Sequence, residues 1–239
     1  MKISLCIPLF NEQKILIKTM DEVSSYMKGR FGEDYEVIYV DDGSTDESLE
    51  ILTRKKDAKT KVISYRPNRG KGYAVRSGML SASGEIVIFT DCDLAYGTDI
   101  IGKFFDEMER DGLIECLIGS RALHPLGYDG YTSIRRLLSK GYLRFLSLYA
   151  GLRPSDSQCG IKAFRQTAAK SIFSRAEVDR FAFDLEVILL AQRLGMKISE
   201  HPVRILNHRA STVHFVRDSV RMVRDVRKIK KRIKKIKKK

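Results

Sequence analysis

The sequence holds no tryptophan, only 5 prolines and only 4 cysteines among 239 residues. Cys6, Cys92, Cys116 and Cys159 are scattered and form no CxxC pair, so neither a zinc site nor a disulfide framework is indicated. A reduced, cytosolic compartment is the simplest setting for such thiols. No stretch approaches the roughly 18 uninterrupted apolar residues of a membrane-crossing helix. The opening MKISLCIPLFNE lacks the apolar core and small-residue cleavage site of a signal peptide, and alternates as a first strand does. No internal repeat is seen. These absences argue against a chain that spans a bilayer, while leaving contact with one open.

What is present is a globular composition, 43% hydrophobic and 31% charged, long enough to bury a sizeable core. The formal charge of +14 is unevenly placed. From Arg217 to Lys239 there are 13 Lys/Arg against Asp218 and Asp225, a net of +11, which leaves +3 for residues 1–216. A near-neutral body does not offer a nucleic-acid surface across the fold. The basic part is an appendage suited to something anionic.

The first half alternates β-rich runs with helical stretches. KISLCIPLF, YEVIYV, TKVISYR and EIVIFTD read as strands; Gln13–Met27, 45–56 and Tyr73–Ala82 read as the helices between them. That alternation predicts βαβ units and a mostly parallel sheet, whose ligands bind at the carboxyl ends of the strands. Polar clusters follow the strands directly: Asn11-Glu12, Asp41-Asp42, Asn68-Arg69-Gly70-Lys71 and Asp91-Cys92-Asp93. Further on, Thr132–Leu152 and Ala182–Leu194 read as helices and Lys197–Arg204 as a strand. The basic, apolar-rich 132–152 helix fits either a core-facing position or a membrane boundary.

Asp91 and Asp93, two carboxylates at i and i+2 after an apolar strand, can address one hard divalent cation, Mg²⁺ or Mn²⁺, that also bridges substrate phosphates. Such an ion would neutralise charge on a departing diphosphate. Taken alone the pair is a weak signal, since Asp-rich loops are common. In Asp41-Asp42-Gly43-Ser44-Thr45-Asp46 a carboxylate can accept hydrogen bonds from a base edge or a ribose, and Gly43 permits a tight turn. Ser44 or Asp46 can equally cap the following helix.

Together these segments resemble glycosyltransferase family 2. SLCIPLFNE, VIYVDDGSTD, NRGKGYAVRSGM and FTDCDLAYG occur in the family's order and spacing. GSR (Gly119–Arg121), RRLLSKG (Arg135–Gly141), DSQCGIKAF (Asp156–Phe164) and RFAFDLEVILLAQRLG (Arg180–Gly195) resemble its polyprenyl-phosphate sugar transferases, nearest the dolichyl-phosphate glucose branch. The resemblance implies a GT-A, Rossmann-like α/β fold and an inverting transfer of a hexose from a UDP-glucose or GDP-mannose type donor to a polyprenyl phosphate. It places Pro8, Phe10, Glu12, Val40 and Asp42 around the nucleoside, Lys71 near the phosphates, and Asp91-Cys92-Asp93 at the metal and diphosphate. Arg121 and Arg135 fall where the acceptor phosphate is held, and a guanidinium suits bidentate phosphate contact. His208, Arg209 and Ser211 fall on a late loop over the donor. Two departures stand out: Ala95 replaces a metal-binding Gln of the mannose enzymes, and the transmembrane segments common among dolichol enzymes have no counterpart.

Asp156, Asp184 and Glu186 raise the question of a general base. A hydroxyl acceptor needs one near the attacking oxygen, whereas a lipid phosphate is already anionic. Asp184 and Glu186, two apart on a helix, cannot share a face, and Asp156 and Asp184 are taken as site-lining. The rival readings are a glycan or glycolipid hydroxyl acceptor, and a sugar-nucleotide- or nucleic-acid-binding protein without catalysis.

The expected organisation is a catalytic domain over 1–212 and a basic amphipathic helix over 213–239. Val213, Val216, Val220, Val223, Val226, Ile229, Ile233 and Ile236 form an apolar stripe among lysines and arginines. Such a helix can lie on an anionic membrane, making the protein peripheral on a cytosolic face. Nucleic acid is not expected, because no aromatic residue follows Phe215 for base stacking.

Overall fold

The computed structural model describes residues 1–129, 133–180, 182–207 and 225–236, the side chains of 133–140 and 142 apart. The chain runs β1 (Ile3–Leu9), α1 (Gln13–Phe31), β2 (Tyr35–Asp41), α2 (Ser48–Lys55), β3 (Thr60–Ser64), α3 (Lys71–Ser81) and β4 (Ile86–Phe89). It continues as α4 (Asp99–Arg110), β5 (Cys116–Ser120), α5 (Ser133–Ala150), β6 (Lys162–Arg165), α6 (Gln166–Phe173), α7 (Phe183–Arg193) and β7 (Ile198–Pro202). A further helical stretch covers 225–233.

The strands form one sheet in the order β3-β2-β1-β4-β6-β5-β7. β1 pairs in parallel with β2 and β4, β2 with β3, and β5 with β7. β6 runs antiparallel to both neighbours. That reversal matters for the site: Lys162, at the start of β6, lies beside Phe89 at the carboxyl end of β4. The Asp156–Ile161 segment is thereby delivered to the same rim as the ends of β1, β2 and β4.

The central strands β1 and β4 are buried along their whole length, as expected of strands covered on both faces. Alternation along them fills two cores. Cys6, Ile38, Val40, Val87 and Phe89 face α3, α6 and α7, while Ile3, Leu5, Ile7, Ile86 and Ile88 face α1, α2 and α4.

Part of the segment expected as a tail beyond residue 212 packs on the body. Val226, Ile229 and Ile233 are buried in the α3–α6–α7 core. That part of the predicted stripe is therefore covered by protein and has no apolar face left for lipid. Ile236 packs against the same core, and residues 213–224 and 237–239 lie outside the described residues. No helix among the described residues is long and apolar enough to cross a membrane.

Candidate active site at the carboxyl ends of the strands

Two turns bring the first polar clusters together. Asn11 adopts a left-handed backbone, φ 56°, at the end of β1, and its side-chain oxygen accepts the Thr45 N–H at 2.8 Å. Gly43 has φ 74°, and a Cβ there would sit 2.9 Å from the backbone nitrogen of Asn68, so glycine is required. Asp41 is buried and accepts from the Ser44 N–H at 3.0 Å and the Ser64 hydroxyl at 2.8 Å.

The Asp42 carboxylate is engaged internally: it accepts the Asn68 side-chain N–H, the Arg69 N–H and the Gly70 N–H, each at 2.8 Å. Asp42 thus fixes the 68–70 loop on which Lys71 is carried. Pro8 and Val40 are cross-strand neighbours in the buried sheet. Strand alternation turns the Val40 side chain into the core, where a Cβ on Gly78 would meet it at 3.0 Å, so only its backbone is left to face the rim. Phe10, 43% exposed, and the half-buried Glu12 stand at the open rim.

The Asp91-Cys92-Asp93 segment is a turn directly after β4. Leu94 N–H bonds the Asp91 carbonyl at 3.1 Å and Ala95 N–H bonds the Asp93 carboxylate at 3.1 Å. Leu94 has φ 46°, so the chain reverses sharply here. Cys92 points the other way. Its thiol is buried in the core below α1 and pushed well above its ordinary pKa by that burial, while its carbonyl accepts the Thr19 hydroxyl at 2.8 Å. Only the backbone of Cys92 therefore stands at the rim with Asp91 and Asp93.

Asp91 is wedged between two neighbours. The Lys71 ammonium lies 2.5 Å from one carboxylate oxygen, and a Cβ on Gly160 would come within 2.2 Å of the other. Burial disfavours the Lys71 charge, yet Asp91, Asp184 and Asp93 together raise its pKa above the ordinary lysine value. Behind it the Asp184 carboxylate meets the ammonium of Lys162 at 2.5 Å, and Lys162, 0% exposed, also donates to the Cys159 carbonyl at 2.7 Å. Burial raises the Asp184 carboxyl despite Lys162 and Lys71. The result is an alternating ladder, Asp91–Lys71–Asp184–Lys162, running from the rim into the core.

Arg121 and Asp156 form a second unit. Two parallel bonds join them, Nε to Oδ2 at 2.7 Å and an Nη to Oδ1 at 2.9 Å. Burial alone would raise the Asp156 carboxyl, but Arg121 and the backbone N–H groups of Gln158 and Arg121 hold it below the usual carboxylate range. Glu186 faces away from the site, accepting the Glu177 and Val178 N–H groups at 3.0 and 2.9 Å. Arg135 lies on α5 but its side chain falls outside the described parts, as do His208, Arg209 and Ser211.

Among the described residues no three His, Cys, Asp or Glu side chains are grouped to hold a metal by protein ligands alone. Asp91 and Asp93 offer hard oxygens on the rim, and Asp91 already takes a cationic partner in Lys71. This donor set fits a cation that completes its shell with substrate phosphates.

The family model for glycosyl transferase family 2 matches residues 4–173. The chain belongs to glycosyltransferase family 2. Among curated relatives, a dolichyl-phosphate beta-glucosyltransferase of Trichomonas vaginalis is 36% identical over 84% of this chain and 64% of its own length. That of Drosophila melanogaster is 34% identical over 85% of this chain and 67% of its own, and that of Homo sapiens 35% over 83% and 65%. The chain thus spans about two thirds of the length of these relatives. Among solved structures, glucosyl-3-phosphoglycerate synthase of Mycobacterium tuberculosis, crystallised with Mn²⁺, UDP-glucose and phosphoglyceric acid, aligns with a TM-score of 0.70 at 20% identity, covering 97% of this chain and 79% of that one. The fold of this family-2 chain is therefore GT-A, Rossmann-like.

Lys162 and Gly160 escaped sequence reasoning as individual site residues. A signal was present for the first: a lysine set inside the apolar run of GIKAF. For Gly160 none was visible, because only the reversed path of β6 sets it against Asp91.

Proposed function

We propose that this chain is an inverting hexosyltransferase that moves glucose from a nucleoside diphosphate sugar to a dolichyl-type polyprenyl phosphate. The observation that carries the reading is the Asp91–Lys71 pair at the rim, with Asp93 beside it and Asp184–Lys162 behind. Lys71 opens α3, where helix dipole and ammonium together favour a diphosphate. Asp91 and Asp93 would hold Mg²⁺ or Mn²⁺, whose chemistry is to neutralise the charge of the departing diphosphate. Phe10 and Glu12 stand where the nucleoside would lie, and Asp42 acts at one remove by shaping the 68–70 loop.

The acceptor follows from the carboxylates. Of the three carboxylates considered as general bases, Asp156 and Asp184 are engaged to Arg121 and Lys162, and Glu186 faces away from the site. A phosphate nucleophile needs no base, only positive charge to hold it. Arg121, oriented by Asp156, supplies part of that charge, with Arg135 as its proposed partner. An open cavity of about 540 Å³ begins at Ala122, next in sequence to Arg121, and its apolar lining of Leu123, Pro125, Tyr128 and Leu143, beside His124 and Ser155, suits an isoprenoid chain.

The proposed setting is peripheral, on the cytosolic face of an anionic membrane. All four cysteines are free and buried, which supports a reducing compartment. Arg227, Lys228, Lys231, Lys234 and Lys235 are exposed on the C-terminal helix and its end. Each would add about 1 kcal/mol of attraction near anionic lipid, an attraction that salt screens.

The test is a panel of radiolabelled UDP- and GDP-sugars incubated with polyprenyl phosphates and Mg²⁺ or Mn²⁺. Label entering the organic phase from one donor is expected. Label that stays aqueous with every donor, or that moves to a sugar hydroxyl instead, would contradict the reading.

A further inference from the structure

The C-terminal helix is tied to α7 by charge as well as by its apolar side. Arg193 donates to the carbonyls of Ile236 at 2.7 Å and Lys234 at 2.9 Å. Arg232 pairs with Glu177 at 2.6 Å and with Glu186, whose side chain is 0% exposed. Glu186 and Arg193, seven residues apart, lie on one face of α7. Asp184 stands on another and serves the ladder to Lys71.

Glu186 does not only receive Arg232. Its other oxygen accepts the N–H groups of Glu177 and Val178, so the 176–180 loop hangs on this carboxylate. That loop is pressed against the start of α3. A Cβ on Gly72 would lie 2.3 Å from the Val178 carbonyl oxygen, and one on Gly70 2.6 Å from that of Asp179. The Asp179 carbonyl also accepts the Tyr73 N–H at 3.1 Å, and its carboxylate meets Arg76 at 2.6 Å. Arg76 in turn donates to the Ala176 carbonyl at 3.0 Å. Contacts therefore run without a gap from Arg232 through Glu186 and Glu177–Asp179 to Gly70-Lys71-Gly72.

We infer that Arg232 is a positioning residue for the Gly70–Lys71 turn, acting from the C-terminal helix through Glu186 and the 177–179 loop. The inference deepens the proposed function, since it rests on Lys71 serving the donor diphosphate. Glu186 is buried, and burial raises its carboxyl above the ordinary range. The Arg232 cation opposes that shift and favours the ionised form that accepts both loop amides. Without it, the loop keeps its Arg76 contacts but loses its charged anchor at 177–178, which loosens the surface that sets the approach of Lys71 to Asp91.

The experiment uses the whole 239-residue chain with Arg232→Ala, Arg232→Lys and, as an exchange control on the exposed face, Arg227→Ala. Hydrogen–deuterium exchange is read at residues 177–178 and at Tyr73. In Arg232→Ala both sites should exchange about tenfold faster or more, the consequence of losing one hydrogen bond to a charged group. Exchange in β1 and β4 should stay unchanged, Arg232→Lys should restore part of the protection, and Arg227→Ala should match wild type. Faster exchange at 177–178 with Tyr73 unaffected would overturn the inference, and so would a uniform rise across the sheet. In the transfer assay, Arg232→Ala should raise the donor KM more than it lowers kcat. Coupled exchange in a wild-type protein that transfers no sugar would leave the link from Arg232 to Lys71 standing and refute the functional reading instead.

Discussion

Replacing Lys162 by methionine keeps the length of the side chain and deletes its charge. Lys162 is 0% exposed and its ammonium sits 2.5 Å from Asp184, so the variant leaves a buried carboxylate with only the more distant Lys71 to compensate it. Breaking a buried pair in this way costs about 3–5 kcal/mol, which at an m-value of about 2–3 kcal/mol/M lowers the urea midpoint by roughly 1–2.5 M. The pH dependence has a defined sign. Burial already raises the Asp184 carboxyl in the folded state, and losing Lys162 raises it further. A carboxyl raised on folding binds more protons in the native state, so stability falls as pH climbs from the unfolded value of about 4 through the raised one. The deficit relative to wild type should therefore be larger at about pH 8 than at about pH 5. Urea unfolding followed by far-ultraviolet circular dichroism at both pH values measures it. Adding Asp184→Asn should recover much of the loss. An unchanged midpoint, or a double variant no more stable than the single one, would refute the ladder.

Asp93→Asn should lower turnover by about 10²–10³-fold, the scale of one lost electrostatic contact in the transition state, with the unfolding midpoint unchanged. Gly160→Ala should also cut activity, because its methyl would land 2.2 Å from an Asp91 oxygen; activity equal to wild type would show that Asp91 can move without consequence. Arg121→Ala strands Asp156, only 2% exposed at its side chain, and should cost about 3–5 kcal/mol near neutral pH. Since Asp156 is held below its ordinary range in the folded state, that contribution is present above about pH 4 and fades as pH falls through the depressed value. Chemical denaturation across that window checks it.

The first half of the fold was legible because β1 to β4 carry apolar runs separated by helix-length polar stretches, and because each polar cluster follows a strand. β5 and β6 were not read as strands. They are five and four residues long, and β6 is reversed, which no local pattern announces. The Asp91 and Asp93 turn could be read from spacing, but its neighbour Gly160 could not. Val40 was placed by resemblance alone, whereas strand alternation with Ile38 points its side chain into the core. Periodicity identified an apolar stripe through Val226, Ile229 and Ile233 but could not say what covers it, because a core-packed helix and a membrane-lying helix share that pattern. The partners of Arg232 decide for the protein's own interior: Glu186 on α7, 46 residues earlier, and Glu177 in the loop before that helix.

In the proposed reaction the attacking atom is a phosphate oxygen of a lipid. The organic-phase product made from the labelled donor should therefore be a glycosyl phosphate, and mild acid should release all of its label as free sugar while leaving the polyprenyl phosphate. Label that survives mild acid and yields only to glycosidic hydrolysis would place the sugar on a hydroxyl and contradict the account.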